Sequence, residues 1–162
     1  MSTPVPVELS TYEIERNKPM PNLIHGLIQG AIVSTLNYTY GDEYMFPSEL
    51  NLNTSPRSVL DVCILPLRIV NLRSVEARES EPPITTIEIQ SPSQSLDILV
   101  NKTWELYFPM GVQSAWIVIP ALKAIQVILP DDTRMVFLEK DTLKDPVTGI
   151  EIEVARVFKN IV

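Results

Sequence analysis

Asp61 and Glu88 are the residues from which chemistry is most readily built. Each sits in an apolar, β-branched run: Asp61 within Ser58-Val59-Leu60-Asp61-Val62-Cys63-Ile64-Leu65, Glu88 within Ile84-Thr85-Thr86-Ile87-Glu88-Ile89. A carboxylate in sheet interior needs a cation, a proton or several hydrogen-bond donors, because burying it unpaired is costly. Taken alone, Glu88 reads equally well as a solvent-facing residue of an edge strand or the partner of a structural Lys or Arg. A second acid in the preceding strand shifts the reading toward a site. Gln90 lies two residues beyond Glu88 on the same strand face, and a cation follows at Lys102. Glu49 stands on the strand expected to pair with that of Asp61. His25, the one histidine, falls near the positive end of a helix, where a capping or solvated role competes with metal ligation. Cys63 lies in an apolar strand, far in sequence from His25, and reads as a small core residue.

The strands and helices that would carry these residues can be read from periodicity. Ser91-Pro92-Ser93 ends the Glu88 strand, since proline cannot continue a ladder. Ser93 or Ser95 can cap a following helix. Its apolar stripe is Leu96, Leu99, Val100, Thr103, Leu106, Tyr107 and Met110, with Asp97, Asn101, Lys102 and Glu105 off it. Gly111 is a natural stop. Upstream, Asn22 caps a helix whose stripe is Ile24, Leu27, Ile28, Ala31, Ile32, Thr35 and Leu36, ending near Tyr38. Gly26 and Gly30 on that helix would let a neighbouring backbone come close. Met1 to Leu9 reads as a flexible lead, Tyr12–Glu15 as a short strand and Arg16–Pro19 as a turn. Met45–Leu52 is expected as one strand, and Leu67–Glu81 as a loop. After Gly111, strands are expected at Ala115–Ile119, Ile125–Leu129 and Met135–Leu138. A half-exposed strand at Ile150–Val154 and a short helical tail follow. The strands on either side of the second helix can pair in parallel through a right-handed crossover. The fold class is α/β, a sandwich with a central mixed β-sheet flanked by helices, in a single domain over 1–162.

Charge narrows the function. A net charge of −7 is unfavourable for a general polyanion binder, whose affinity comes from neutralised phosphates. A nucleic-acid function would have to use a local basic groove or metal ions. No apolar run reaches a membrane span, and no signal peptide is read at the N-terminus. A lone cysteine fits a reducing, cytoplasmic compartment.

Several segments carry a family resemblance: YEIERNKPMPN leading into the His25 helix, SELNL with Glu49, LDV with Asp61 and TTIEIQSPSQSLD with Glu88. NKTWELYFPMGVQSAWIVIP and KDPVTGIEIEV continue it. The chain resembles the PD-(D/E)XK nuclease superfamily and, more closely and over most of its length, the bacterial Uma family of restriction-endonuclease-like proteins. The resemblance implies a restriction-endonuclease-like fold and an Mg²⁺- or Mn²⁺-dependent endonuclease acting on DNA. Asp61 and Glu88 would be catalytic metal ligands, with the Ile89 carbonyl as a third. Lys102 would orient water from the helix, which accounts for Gln90 where superfamily members often carry Lys. His25, Glu49, Gln90 and Asp97 would surround the metal site. A homodimer facing a two-fold duplex is the implied assembly, the late strands offering exposed Ile, Val and Phe.

Two features depart from that pattern. Val59-Leu60-Asp61 lacks the proline that usually precedes the acid. Asp97 and Lys102 are five apart, which places them roughly 140° apart on an ideal helix, and Pro109 should disturb the last turn. Lys102 is therefore expected either over the cleft or in solvent. The alternative function is a catalytically degenerate nuclease-fold dimer that binds or supports. A third reading is an accessory protein that cuts only with a partner.

Overall fold

The structure, a computed structural model, describes residues 8–16 and 18–162. All but Glu8 and Leu9 of the expected lead, and Asn17 of the expected turn, lie outside them. Helix α1 (Thr11–Arg16) stands where a short strand was expected. The reason is a reciprocal cap. Ser10 Oγ accepts from the Glu13 amide at 3.2 Å and Glu13 Oε1 accepts from the Ser10 amide at 3.3 Å, the S-x-x-E signature of a helix start.

Helix α2 (Leu23–Tyr40) is capped by Asn22, whose side chain accepts from the His25 amide at 2.9 Å. Its buried stripe is His25, Ile28, Ile32 and Leu36. Ile24 and Leu27, expected on that stripe, are exposed, because the helix turns its His25 edge inward. Among the described residues no atom approaches the space a side chain would fill at Gly26 or Gly30, so those residues do not make the close approach expected there.

Seven strands form the main sheet, in the order β1-β3-β4-β5-β6-β7, with β2 also pairing with β3. Strands β1 (Tyr44–Met45) and β2 (Ser48–Leu52) occupy the single run expected at 45–52, interrupted at Phe46-Pro47 where proline withholds its donor. Strand β3 (Ser58–Pro66) pairs antiparallel with both and with β4 (Thr85–Ile89). Strand β4 pairs in parallel with β5 (Ser114–Ile119), the crossover expected from the sequence. Strands β6 (Ala124–Ile128) and β7 (Arg134–Leu138) continue antiparallel to the edge. The sequence reading missed β8 (Thr142–Lys144), which pairs with β9 (Glu151–Glu153) in a separate two-stranded sheet before α5 (Val154–Val157).

One apolar cluster joins Ile28, Ile32 and Leu36 of α2 to Val62, Ile64, Ile87, Ile89, Trp116 and Val118. The other sheet face packs on the second long helical segment. Leu60, Cys63 and Leu65 cluster with Tyr107 and Val112, and Ile117 and Ile128 with Leu99. This is a mixed sheet between helical layers, as the fold class requires.

That second segment begins as α3 (Leu96–Lys102), capped by Ser95, whose side chain accepts from the Ile98 amide. It widens into a π-helical turn at Thr103–Tyr107 and ends as α4 (Phe108–Met110) at Gly111, which takes a φ of 115°. Pro109 has no N–H to offer the preceding turn, and the turn closes one residue wider just before it.

Candidate functional site

Asp61 and Glu88 meet where two strands part. The β3–β4 ladder pairs Ile64 with Thr85, Cys63 with Thr86 and Val62 with Ile87, and goes no further. One step on, Asp61 stands across from Glu88. The Ile89 amide, which a continuing ladder would have used, donates instead to Asp61 Oδ2 at 2.8 Å. Strand β3 also changes face at this point. Leu60 packs with Tyr107 on one side of the sheet, whereas Val62 packs with Ile28 and Ile32 on the other, although residues two apart on a regular strand share a face. The adjoining strand is irregular at the matching position. Glu49, across from Asp61 by the register that pairs Ser48 with Val62 and Leu50 with Leu60, has a φ of 59°. Such conformations are strained for a side chain other than glycine and gather at functional sites.

Three cations answer three acids. Lys18 Nζ contacts Asp61 Oδ1 and donates to the Val59 carbonyl at 3.1 Å. His25 Nε2 approaches the same oxygen at 3.1 Å, and its Nδ1 is buried without a partner among the described residues. Lys102 Nζ lies 3.8 Å from Glu88 Oε1, with its side chain 16% exposed, but Lys102 is not among the residues that line the cavity shared by the two acids. Arg16 pairs with Glu49. Tyr107 donates to Glu88 Oε1 at 2.6 Å. A phenol has one hydrogen, so Ser58 Oγ, 2.7 Å away, donates to Tyr107 in turn. Lys102 and Tyr107 are five residues apart, and both reach the same carboxylate oxygen. A turn closed from i to i+5 brings residues at that spacing toward one face, which an α-helix does not.

The two carboxylates sit in opposite electrostatic settings. Burial pushes Asp61 up, but the His25 hydrogen bond and the Lys18 charge outweigh it and hold the carboxyl well below the usual range. Glu88 is pushed up, by burial first and by the Asp61 charge, against the opposing pull of Lys102. Burial pushes the Cys63 thiol far up, in keeping with a core residue. Unequal acidity in neighbouring carboxylates is a frequent property of reactive sites.

Asp61, Glu88, Ile89, Lys18, His25, Ser91 and Gln94 line one small cavity of about 10 Å³, the space of a single water-sized occupant. Among the described residues no three His, Cys, Asp or Glu side chains converge as metal ligands. Two carboxylates with backbone oxygen and solvent nevertheless suit Mg²⁺, which keeps several waters and takes few protein ligands. The donor set fits that ion in kind.

The other expected residues are placed as follows. Glu49 engages Arg16 and not the cavity. Gln90 Nε2 donates to the Gln94 carbonyl at 3.0 Å and ties the turn after β4. Asp97 is exposed and does not line the cavity of the two acids. Ile89 contributes its amide to Asp61. Sequence reasoning missed Lys18 and Tyr107 as site residues. Tyr107 stood in the apolar stripe, and nothing local distinguishes its hydroxyl from a solvated one. Lys18 comes from a segment distant in sequence from both acids, so only the tertiary fold reveals it.

The fold is an α/β sandwich, a mixed sheet between helical layers that opens beside two acids. The chain belongs to the Uma2 family, described as "Putative restriction endonuclease", whose model matches residues 2–155. Among solved structures it is similar to one titled as a putative nuclease belonging to DUF820 from Anabaena variabilis ATCC 29413. The TM-score is 0.74 at 23% identity, over 86% of this chain and 83% of that one. At that identity the likeness speaks for the fold. A search of curated protein sequences found no match. Among the described residues no helix is long and apolar enough to cross a membrane.

Proposed function

We propose that this protein is a divalent-metal-dependent endonuclease that hydrolyses DNA phosphodiester bonds with Asp61, Glu88 and Lys102. The observation that carries the reading is the pair of acids on parting strands, lining one ion-sized cavity, with Lys102 against Glu88. Asp61 and Glu88 would hold Mg²⁺ or Mn²⁺, with the Ile89 carbonyl as a further oxygen. The ion would supply an activated water and a neutraliser for the charge that develops on phosphate. Tyr107 holds the Glu88 carboxylate in one orientation. The Lys102 ammonium offers a fixed positive charge beside it, where a preorganised donor stabilises a transition state most effectively. DNA would be held weakly, because the surface is acidic and few phosphates can be neutralised away from the cleft.

A homodimer is the assembly we infer, with edge strand β7 as its contact. Val136 and Leu138 are exposed there, while Phe137 packs on the core. A second reading, a binding module without catalysis, is favoured by one observation: each acid already has a protein cation beside it.

Mn²⁺ titration calorimetry and cleavage of plasmid and single-stranded DNA separate the two. Metal binding should disappear in Asp61→Ala. Cleavage should fall about a hundredfold or more in Asp61→Ala, Glu88→Ala and Lys102→Ala alike. Metal binding that survives Asp61→Ala would remove the proposed site. Binding without cleavage of either DNA would favour the module, and cleavage that survives Lys102→Ala would move the catalytic cation elsewhere.

A further inference from the structure

Both oxygens of Asp61 are already engaged by protein donors. Oδ2 accepts the Ile89 amide at 2.8 Å, and that donor belongs to the sheet backbone. Oδ1 meets both His25 Nε2 and Lys18 Nζ. His25 is held by α2, whose first turn is fixed by the Asn22 cap. Lys18 differs from both. It arrives from the segment between α1 and α2, on a flexible four-carbon stem. Only 6% of its side chain is nonetheless exposed, and its second anchor is the Val59 carbonyl at 3.1 Å. An ammonium at this oxygen and a divalent ion at about 2.1 Å from it compete for one place and for the same negative charge.

We infer that Lys18 is a tethered counter-cation of the metal site, which a divalent ion must displace from Asp61 Oδ1 in order to bind. The inference rests on the proposed function, because it presumes that Asp61 is a ligand. Lys18 is the partner that can leave. Its neighbours Pro19 and Pro21 stiffen the backbone while its side chain keeps its rotamers, and the displaced ammonium remains tethered beside the cavity. Metal-free protein would then hold its acids neutralised, in place of two facing carboxylates that repel each other. Metal affinity would be set by an exchange of cations.

Two measurements test this. Mn²⁺ calorimetry at constant pH would compare wild type with Lys18→Met, using the exposed Lys144→Met as a control for net charge. Removal of the competitor should tighten Mn²⁺ binding about tenfold or more, with Lys144→Met close to wild type. Unchanged or weaker binding in Lys18→Met, or no binding in either protein, would overturn the inference. The second measurement needs no variant. Acetylation of wild-type lysines by an N-hydroxysuccinimide ester, read by mass spectrometry, should find Lys18 protected without metal and reactive at saturating Mn²⁺. A Lys18 equally reactive, or less reactive, with metal would overturn it as well. Metal binding that survives Asp61→Ala marks failure of the functional reading itself. Binding lost in Asp61→Ala but unaltered in Lys18→Met marks failure of the displacement alone.

Discussion

Asp61 and Glu88 should respond to pH in opposite directions. Asp61 is held below its ordinary range when folded. Its ionisation therefore contributes stability in full above about pH 4, the unfolded value, and that contribution fades as pH falls toward the folded one. Glu88 is raised when folded. Its contribution is complete below about pH 4 and is lost as pH rises through the folded value. Urea unfolding in metal-free buffer can read both. Asp61→Asn should cost about 3 kcal/mol at pH 7, because it strands a buried ammonium, and that cost should shrink in acid. Glu88→Gln should gain on wild type between pH 4 and 7 and lose its advantage below. Parallel profiles for the two variants would contradict the electrostatic assignment. Both acids were legible in the sequence because a charge in an apolar run is conspicuous. Their inequality was not, because it depends on His25 and Lys18 for Asp61, and on burial and the facing Asp61 charge for Glu88.

Elements were legible where periodicity was strong, as in α2, β3, β4, β5 and the cap at Ser95. They were misread where a short polar signal competed with an alternating pattern. Tyr12–Glu15 alternates like a strand, yet the Ser10–Glu13 cap makes it helical. The π-helical turn was not legible, since Pro109 announces a disturbance without saying which kind. Nor was the β8–β9 hairpin, whose turn depends on one fully buried acid. Asp145 accepts from Ser114 Oγ at 2.8 Å, Trp116 Nε1 at 2.7 Å, and the amides of Val147 and Thr148 at 2.8 and 2.9 Å. It bolts the hairpin to the start of β5. Asp145→Ala would strand those donors, each costing about 1–3 kcal/mol, and should destabilise by about 3 kcal/mol or more. The variant that still folds should bind Mn²⁺ like wild type. A comparable loss of metal affinity would mean that the clamp and the acid pair are one structural unit.

For the whole molecule, the fold class could be inferred because strand, helix and strand in sequence fix a parallel pair with a crossover. The meeting of Lys18 with Asp61 could not, since the two are 43 positions apart and joined only in the folded chain. The acids lie near the start of β3 and the end of β4, whereas the connection between these strands leaves from their opposite ends. That connection is itself closed off by the Arg68–Glu79 pair at 3.1 Å and the bridge from Leu52 to Glu79. Within it Ile69 and Leu72 are almost wholly exposed. The molecule therefore has an exposed handle on the connection between these strands. A fluorescent-protein graft or an affinity tag spliced between Leu72 and Arg73 should cost less than about 1 kcal/mol, since lengthening a surface loop is entropically cheap. Mn²⁺ affinity should be preserved, as calorimetry on the grafted chain would report. A lineage of such proteins could lengthen, shorten or decorate this connection to meet new partners while Asp61 and Glu88 stayed where they were.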